Sequence, residues 1–224
     1  MIDGEQLRIS KEGWPLFAGL VLFALMFGYF GFSQNNAFMI ALFGIDLLLL
    51  LTGLYFFRDP VRVPPATDNV IVSPADGKVI DIKTVEETDY LQQKVTRIDI
   101  FLSLFDVHMN YIPFKGKIDY IHYKRGKNLP AYRPEASHQN QHAFFGLLTR
   151  YGKMAFKQSA GMVARRVVWY VKLDQAVETG QKFGMIKFGS RLEVYLPEWA
   201  KVRTKSGDRL KGGESIIAEI DETS

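Results

Sequence analysis

Two long apolar runs near the N-terminus constrain the fold more than any other feature of the chain. The first, residues 15–32, contains no charged residue, and the second, residues 37–57, is interrupted only by Asp46. A helix needs about 20 apolar residues to cross the hydrocarbon core of a bilayer. With a short polar turn between them, the two runs predict a transmembrane helical hairpin over residues 14–57, preceded by an N-terminal tail of residues 1–13.

Positive charges flank the predicted hairpin on both sides. Arg8 and Lys11 precede the first run, Arg58 and Arg62 follow the second, and the connecting turn carries no charge. Because positively charged flanks remain in the cytoplasm, we expect both ends, and all that follows, on the cytoplasmic face of the cell (inner) membrane. Asp46 is interpreted as a helix–helix contact without a catalytic role. A buried helical hairpin in a soluble protein is the alternative.

Composition excludes several classes of site. The chain has no cysteine, which excludes disulfides, thiol catalysis and cysteine-ligated zinc. It contains 28 Lys and Arg against 24 Asp and Glu, a net charge of +4 that suits an anionic membrane surface without demanding nucleic acid. There is no zinc-type histidine cluster, P-loop or dinucleotide fingerprint. No metal, nucleotide or nucleic-acid partner is therefore implied.

Residues 58–224 have the pattern of a mainly β domain. Short apolar or alternating stretches between turn residues predict strands. The stretch 125–146 has few periodic apolar residues and is predicted to be a long surface loop or lid. Lys153, Lys157 and Lys172 are expected on a solvated or lipid-facing surface. The predicted strands cover residues 70–72, 78–82, 96–104, 107–112, 117–123, 154–158, 167–173, 186–196, 201–204 and 215–220.

A weak internal repeat adds detail to this β domain. Residues 171–181 and 202–214 share the order strand, turn, apolar residue and glycine-containing turn. This resembles the half-repeat of the biotinyl/lipoyl carrier-domain barrel. The predicted fold is therefore mainly β (α+β) with a biotinyl/lipoyl-like barrel element. Lys187 lies near the position of a carrier lysine, so a non-catalytic, membrane-tethered carrier or scaffold module is an alternative function.

The step from Gly189 to Ser190 stands at the start of an alternating apolar stretch. A glycine followed by serine is common in turns, and glycine in a strand marks a bulge or a close backbone approach. A serine hydroxyl can also attack the carbonyl group that precedes it if a base is near. From these two residues alone, the structural interpretation is favoured.

Five short motifs change that interpretation. They are Phe-Arg-Asp-Pro at 57–60, Ser-Pro-Ala-Asp-Gly at 73–77, Phe-Asp-Val-His-Met-Asn at 105–110, Ala-Gly-Met-Val-Ala-Arg-Arg at 160–166 and Phe-Gly-Ser at 188–190. In this order along the chain, they resemble the phosphatidylserine decarboxylase family in its short form with an N-terminal membrane hairpin. The resemblance extends from residue 57 to residue 220.

The resemblance implies a proenzyme that cuts itself between Gly189 and Ser190. The serine hydroxyl would attack the Gly189 carbonyl, the resulting ester would eliminate, and the dehydroalanine would hydrolyse to a pyruvoyl group and ammonia. The chains 1–189 and 190–224 would remain together as a heterodimer, and a higher oligomer stays open. The pyruvoyl group derived from Ser190 would then decarboxylate phosphatidylserine, or a related serine phospholipid, to phosphatidylethanolamine and CO2 by a Schiff-base mechanism.

The resemblance also assigns a base. His108 would accept the serine proton and later return a proton to the product, because an imidazole titrates near neutral pH. Asp76 would orient His108, as the acid does in a Ser-His-Asp triad. Without the resemblance, His108 would be interpreted as an ordinary half-buried histidine and Asp76 as a turn residue.

Head-group contacts are expected from three further residues, Arg165, Arg166 and His142. Adjacent strand residues point to opposite faces, so at most one of the two arginines reaches the site. His142, like His138, either contacts the head group or lies on the surface. Phe105 stands where one branch of the family has a second histidine, so another group must take over any role of that histidine.

Overall fold

The computed structural model describes residues 8–127, 129–133, 135–161, 167–186 and 190–220. The chain divides into two compact units, Met1–Val61 and Arg62–Ser224. The first contains the apolar runs, and the second contains all the motifs after the Phe-Arg-Asp-Pro segment.

Two apolar helices form most of the first unit. A short 3-10 helix, Lys11–Gly13, leads into α1, Trp14–Ser33, and a tight turn connects α1 to α2, Ala37–Phe56. Asn36 caps α2, because its Oδ1 accepts hydrogen bonds from two backbone N–H groups of the first turn. Both helices are long and apolar enough to cross a membrane. They are compatible with the predicted hairpin, whose insertion into a bilayer remains a prediction.

Glycines allow the two helices to approach each other closely. A side chain at Gly31 of α1 would meet Ile40, and one at Gly53 of α2 would meet Phe17. Small residues at such positions are typical of helix pairs in membranes. Asp46 is buried within this unit, in agreement with its interpretation as a packing residue.

The second unit is mainly β, as predicted. Its elements are β1 Val70–Val72, β2 Gly77–Glu87, β3 Gln93–Leu102, β4 Met109–Tyr111, β5 Gly116–Lys124, α3 Ala136–Gln139, β6 His142–Thr149, β7 Gly152–Ala160, β8 Val167–Trp169, β9 Ala176–Val177, β10 Lys182–Ile186, β11 Ser190–Leu196, β12 Ala200–Val202, β13 Arg209–Leu210 and β14 Ile216–Ile220. The described residues form three antiparallel sheets, with strand orders β1-β14-β12, β4-β10-β8 and β13-β2-β3-β11-β7-β6-β5-β9. The barrel element is compatible with these sheets and remains a prediction.

Strand β11 lies in the middle of the eight-stranded sheet, between β3 and β7, and every one of its residues is buried. Successive residues of a strand point to opposite faces, and every second residue shares a face. Leu192 and Val194 belong to the main hydrophobic core, and we call their side of the sheet the inner face. Arg191 and Glu193 lie on the outer face. Ser190, two positions before Leu192, therefore points to the inner face.

One predicted loop is partly a strand. The prediction of a loop over residues 125–146 is wrong at its C-terminal end, because β6 begins at His142. Phe145 of β6 stacks on Phe156 in the core, whereas the neighbouring Phe144 is buried on the outer face. A strand that is apolar on both faces lacks the alternation that identifies a half-buried strand.

The strand predicted over residues 70–72 has the predicted bounds, and the other predicted strands are present with shifted ends. The continuous strand predicted over residues 186–196 is divided between β10, which ends at Ile186, and β11, which begins at Ser190. Residues 187–189 lie outside the described residues, and so do the two arginines 165 and 166.

Candidate active site

Ser190 is fully buried at the first position of β11. Its cross-strand neighbours are Leu102 on β3 and Ala160 on β7, both of which are buried in the core. Within the described part of the chain, the Ser190 Oγ has no hydrogen-bond partner. An unsatisfied buried hydroxyl costs about 1–3 kcal/mol, so such a group is a candidate for chemistry. Gly189, the other half of the expected cleavage site, lies outside the described residues.

His108 is also fully buried and lies immediately before β4. Its backbone oxygen accepts a hydrogen bond from the N–H of Ile186 at 3.4 Å. Ser190 comes four positions after Ile186, and four residues span at most about 14 Å. The fold therefore brings the segments of His108 and Ser190 into the same region, although they belong to different sheets.

Asp76 accepts hydrogen bonds from Arg62 and from Gly212. Both its oxygens bind the Arg62 Nη2, at 3.0 and 2.8 Å, and Oδ1 also accepts from the N–H of Gly212 at 2.7 Å. Arg62 binds Glu214 as well, at 3.2 Å. Burial lowers the pKa of Arg62, but Asp76, Tyr111 and Glu214 outweigh this effect and raise the pKa. The sequence indicated only that Arg62 is one of the positive charges flanking the apolar helices. In the structure, Arg62 binds Asp76, the acid of the predicted triad.

Backbone pairing joins the segments that carry Asp76 and His108. The N–H of Tyr111 donates to the carbonyl of Pro74 at 2.8 Å. Tyr111 comes three residues after His108, and Pro74 comes two residues before Asp76. This pairing supports the predicted triad, and direct contact between Asp76 and His108 remains a prediction.

A buried amide pair connects the two sheets that carry the serine and the histidine. Gln158 Nε2, on the inner face of β7, donates to Asn110 Oδ1 at 2.7 Å, and neither residue is exposed. Gln158 lies two residues before Ala160, the neighbour of the serine, and Asn110 lies two residues after His108. Gly184 leaves the necessary space, since a Cβ there would lie 2.8 Å from Gln158 Nε2.

Sequence reasoning missed this amide pair. Asn110 belongs to the motif that contains His108, which is a signal for one partner, but nothing local indicates that Gln158 faces it. The second amide atoms, Asn110 Nδ2 and Gln158 Oε1, make no hydrogen bond with the described residues. The pair therefore has a free donor and a free acceptor beside the candidate site.

The outer face of the sheet carries a buried charge cluster, formed by three cations and two carboxylates. Glu193 binds Lys157 at 2.7 Å and Arg191 at 3.0 Å, while Asp99 binds Arg97 at 2.9 Å and also Arg191. Burial raises the pKa of Glu193, but Lys157, Arg191 and Arg97 outweigh it and lower the pKa to about 2. The prediction of a solvated Lys157 is wrong, because the side chain is buried and its ammonium group pairs with Glu193.

His138 and His142 line a cavity of about 710 Å³ on the outer face. The register pairs Arg191 with Ser159 and Ser159 with His142, so His142 points away from the face that carries Ser190. Burial lowers the pKa of both histidines, and the charge of the neighbouring Lys157 in the cavity wall lowers it further. The structure thus separates both histidines from the buried serine.

Phe105 and His108 differ strongly in exposure. Phe105 is 74% exposed, whereas His108 is completely buried. Phe105 stands at the position where one branch of the family that the sequence resembles has a second histidine. A phenyl ring has no ionisable group, so Phe105 does not take over any proton transfer by that second histidine.

Comparisons with known proteins show the family of the chain. The family model described as phosphatidylserine decarboxylase matches residues 50–218. A phosphatidylserine decarboxylase proenzyme of Carboxydothermus hydrogenoformans is 42% identical over 174 residues, which cover 77% of this chain and 82% of that protein. A second, from Geobacter metallireducens, is 39% identical over 210 residues, which cover 93% of this chain and 95% of that protein. The chain belongs to the phosphatidylserine decarboxylase family.

Proposed function

We propose that the chain is a membrane-associated phosphatidylserine decarboxylase that generates a pyruvoyl group from its own Ser190. The observation that carries the proposal is the buried Ser190, whose Oγ has no partner among the described residues, in a Gly-Ser step near His108. Relatives named as proenzymes cover most of this chain. A proenzyme is processed before it acts, which agrees with cleavage at this step.

Self-cleavage uses groups that the chain already contains. His108 accepts the proton as Ser190 Oγ adds to the Gly189 carbonyl, and the same proton passes to the departing nitrogen when the peptide C–N bond breaks. The ester that forms then loses the Ser190 Cα proton to a base, and its Cβ–O bond breaks to release the Gly189 carboxylate and leave a dehydroalanine with a free amino group. One water molecule hydrolyses the imine tautomer of this dehydroalanine, which gives the pyruvoyl carbonyl and releases ammonia. Asp76, held by Arg62, orients His108 and stabilises its protonated form.

The fold explains why both products stay together. The segment 190–224 contributes β11 between β3 and β7, β13 beside β2, and β14 beside β1. These pairings bury Leu192, Val194 and Ile217 in the common core. The two products therefore form a heterodimer that separates only when the domain unfolds.

The site of Ser190 fits the pyruvoyl group. The position is buried and is bordered by Leu102 and Ala160, so it is shielded from bulk water. When present, the pyruvoyl group supplies a carbonyl that accepts the electrons released with CO2. The chain itself orients the substrate amine and carboxylate, and His108 returns the proton to the product.

The membrane part of the proposal rests on the first unit. Its two apolar helices meet the length requirement for spanning a bilayer. Arg8 and Lys11 precede these helices and Arg58 follows them. By the positive-inside rule, we place the catalytic domain on the cytoplasmic face of the cell membrane.

Intact-mass measurement of the purified protein tests the function. We expect fragments 1–189 and 190–224, the smaller with a blocked, pyruvoyl-containing N-terminus, and release of CO2 from phosphatidylserine. The alternative carrier or scaffold module predicts an uncut chain modified on Lys187. An uncut chain that releases no CO2 from phosphatidylserine would contradict the proposal.

The buried amide pair provides a second test, because it spaces the sheets of the nucleophile and the base. The double variant Asn110→Leu with Gln158→Met removes both unsatisfied groups, so the free energy of unfolding should change by less than about 1 kcal/mol. Cleavage should nevertheless slow by about 100-fold, since displacement of a reacting group by 1 Å has an effect of that size. Denaturant unfolding and a time course on gels measure the two effects.

The single variant Gln158→Met serves as the control for this test. It leaves the whole buried amide of Asn110 unpaired and should lower the free energy of unfolding by about 1–3 kcal/mol. Cleavage of the double variant at the wild-type rate would show that the pair has no positioning role.

A further inference from the structure

The loop between β3 and β4 carries two neighbouring apolar side chains into solvent. Leu104 is 48% exposed and Phe105 is 74% exposed. Asp106 closes the loop behind them, because its Oδ2 accepts hydrogen bonds from both the backbone N–H and the Oγ of Ser103, each at 2.7 Å. The apolar pair is therefore presented by a hydrogen-bonded turn.

This apolar tip lies at the candidate site. It begins two residues after Leu102, the cross-strand neighbour of Ser190, and it ends three residues before His108. Leu104 and Phe105 therefore lie near both proposed catalytic residues. Ser190 is near through the pairing of β3 with β11, and His108 is near along the chain.

Exposed cations and an aromatic ring surround the tip. Arg209 Nη1 lies 3.6 Å from Asp106 Oδ1, and the Arg209 side chain is 76% exposed. Lys78 is the cross-strand neighbour of both Arg209 and Phe101, so the three side chains share one face. Tyr132, 61% exposed, packs edge-on against Phe101 with ring centroids 6.2 Å apart.

We propose that this surface, which we call the interfacial patch, docks on an anionic phospholipid bilayer and admits the lipid substrate directly from it. The patch consists of Leu104, Phe105, Tyr132, Lys78 and Arg209. The inference rests on the proposed function and adds the route by which the substrate reaches the site.

A bilayer is the partner that matches this combination of groups. Leucine and aromatic side chains enter the boundary between head groups and acyl chains, and lysine and arginine bind anionic head groups. A phospholipid substrate has to leave the bilayer near the catalytic groups, and the tip lies at the end of β3 that pairs with Ser190. Lys78 and Arg209 lie beside the tip on the outer face of the sheet, because Lys78 pairs with Phe101 and Phe101 pairs with Arg191. The apolar helices of the first unit keep the domain near a membrane and raise its effective concentration there.

Fluorescence quenching tests the docking without any need for activity. Phe105→Trp and, as a matched control, Leu173→Trp are compared in the full chain reconstituted in vesicles of phosphatidylcholine and phosphatidylserine, with and without brominated acyl chains. Leu173 is 56% exposed and lies in another loop. Both variants retain the three native tryptophans, so the difference between them reports the introduced residue.

We expect brominated lipid to quench the tryptophan at position 105 and not the one at position 173. Equal quenching at both positions, or a tryptophan at position 105 that stays as accessible to aqueous acrylamide as the one at position 173, would overturn the docking proposal.

Kinetics on two forms of the substrate test the route. The double variant Leu104→Ser with Phe105→Ser should lower the ratio of the rate on vesicle phosphatidylserine to the rate on a water-soluble short-chain phosphatidylserine by about tenfold or more, because burial of two apolar side chains is lost. Leu173→Ser should leave this ratio unchanged.

An equal loss on both substrates, or no loss on either, would overturn the inference. A wild-type protein that decarboxylates neither form would instead contradict the proposed function, and the quenching result would still decide whether the patch contacts the bilayer.

Discussion

Ser190→Ala is expected to yield a single uncut chain with no decarboxylase activity. The variant lacks the hydroxyl that attacks the Gly189 carbonyl, and it also lacks the atoms from which the pyruvoyl group would be made. Removal of a nucleophile lowers rates by at least about 10^4-fold, so no fragment should appear over days. A denaturing gel, intact mass and CO2 release from phosphatidylserine measure the three consequences together.

Ser159→Ala is the matched control. Ser159 is a buried serine on the adjacent strand β7, but it pairs with Arg191 and so points to the outer face. This variant loses the same hydroxyl group at nearly the same depth, and it should still cleave and decarboxylate. If Ser190→Ala also divides into fragments 1–189 and 190–224, the nucleophile has been assigned to the wrong residue.

Glu193→Gln is expected to be the most destabilising of these substitutions in the β domain. The change preserves shape but removes the charge that balances Lys157 and Arg191, which are buried to about the same extent as Glu193. Loss of one partner from a buried ion pair costs about 3–5 kcal/mol, because a charge is left without compensation. For a domain of this size, the melting temperature should fall by roughly 6–20 °C. Thermal unfolding in detergent measures this change.

An exposed ion pair in the same domain provides the comparison. Glu219 binds Arg203 at the surface, and both side chains are more than one third exposed. Glu219→Gln should change the free energy of unfolding by less than about 1 kcal/mol, since solvent screens such pairs. If the two variants have similar melting temperatures, the buried charge cluster contributes no more to stability than the exposed ion pair.

Local patterns were sufficient for much of the architecture. An unbroken apolar run identifies α1 and α2, because the signal is contained in each helix by itself. Alternation of core-facing and other residues identifies β11, where Leu192 and Val194 face the core and Glu193 between them does not. Strand β6 escaped prediction because it is buried on both faces, so Phe144 and Phe145 show no alternation.

The pairing of polar groups was less predictable than the strands. A lysine in sequence is usually a surface residue, yet Lys157 is buried because a carboxylate on the next strand faces it. Arg62 has the same sequence signature as any cytoplasmic flank, and only the fold places it against Asp76. Gln158 and Asn110 are 48 positions apart and have no shared local signal.

The amino-acid sequence by itself determined the apolar helices, most of the strands, the family and the three residues proposed for chemistry, because each depends on a run or motif of neighbouring residues. The tertiary structure alone decided which face of the eight-stranded sheet holds Ser190, which charges are buried together and which exposed side chains surround the site. Those properties depend on the register between strands that are distant in the chain, and a shift of one residue would exchange the two faces.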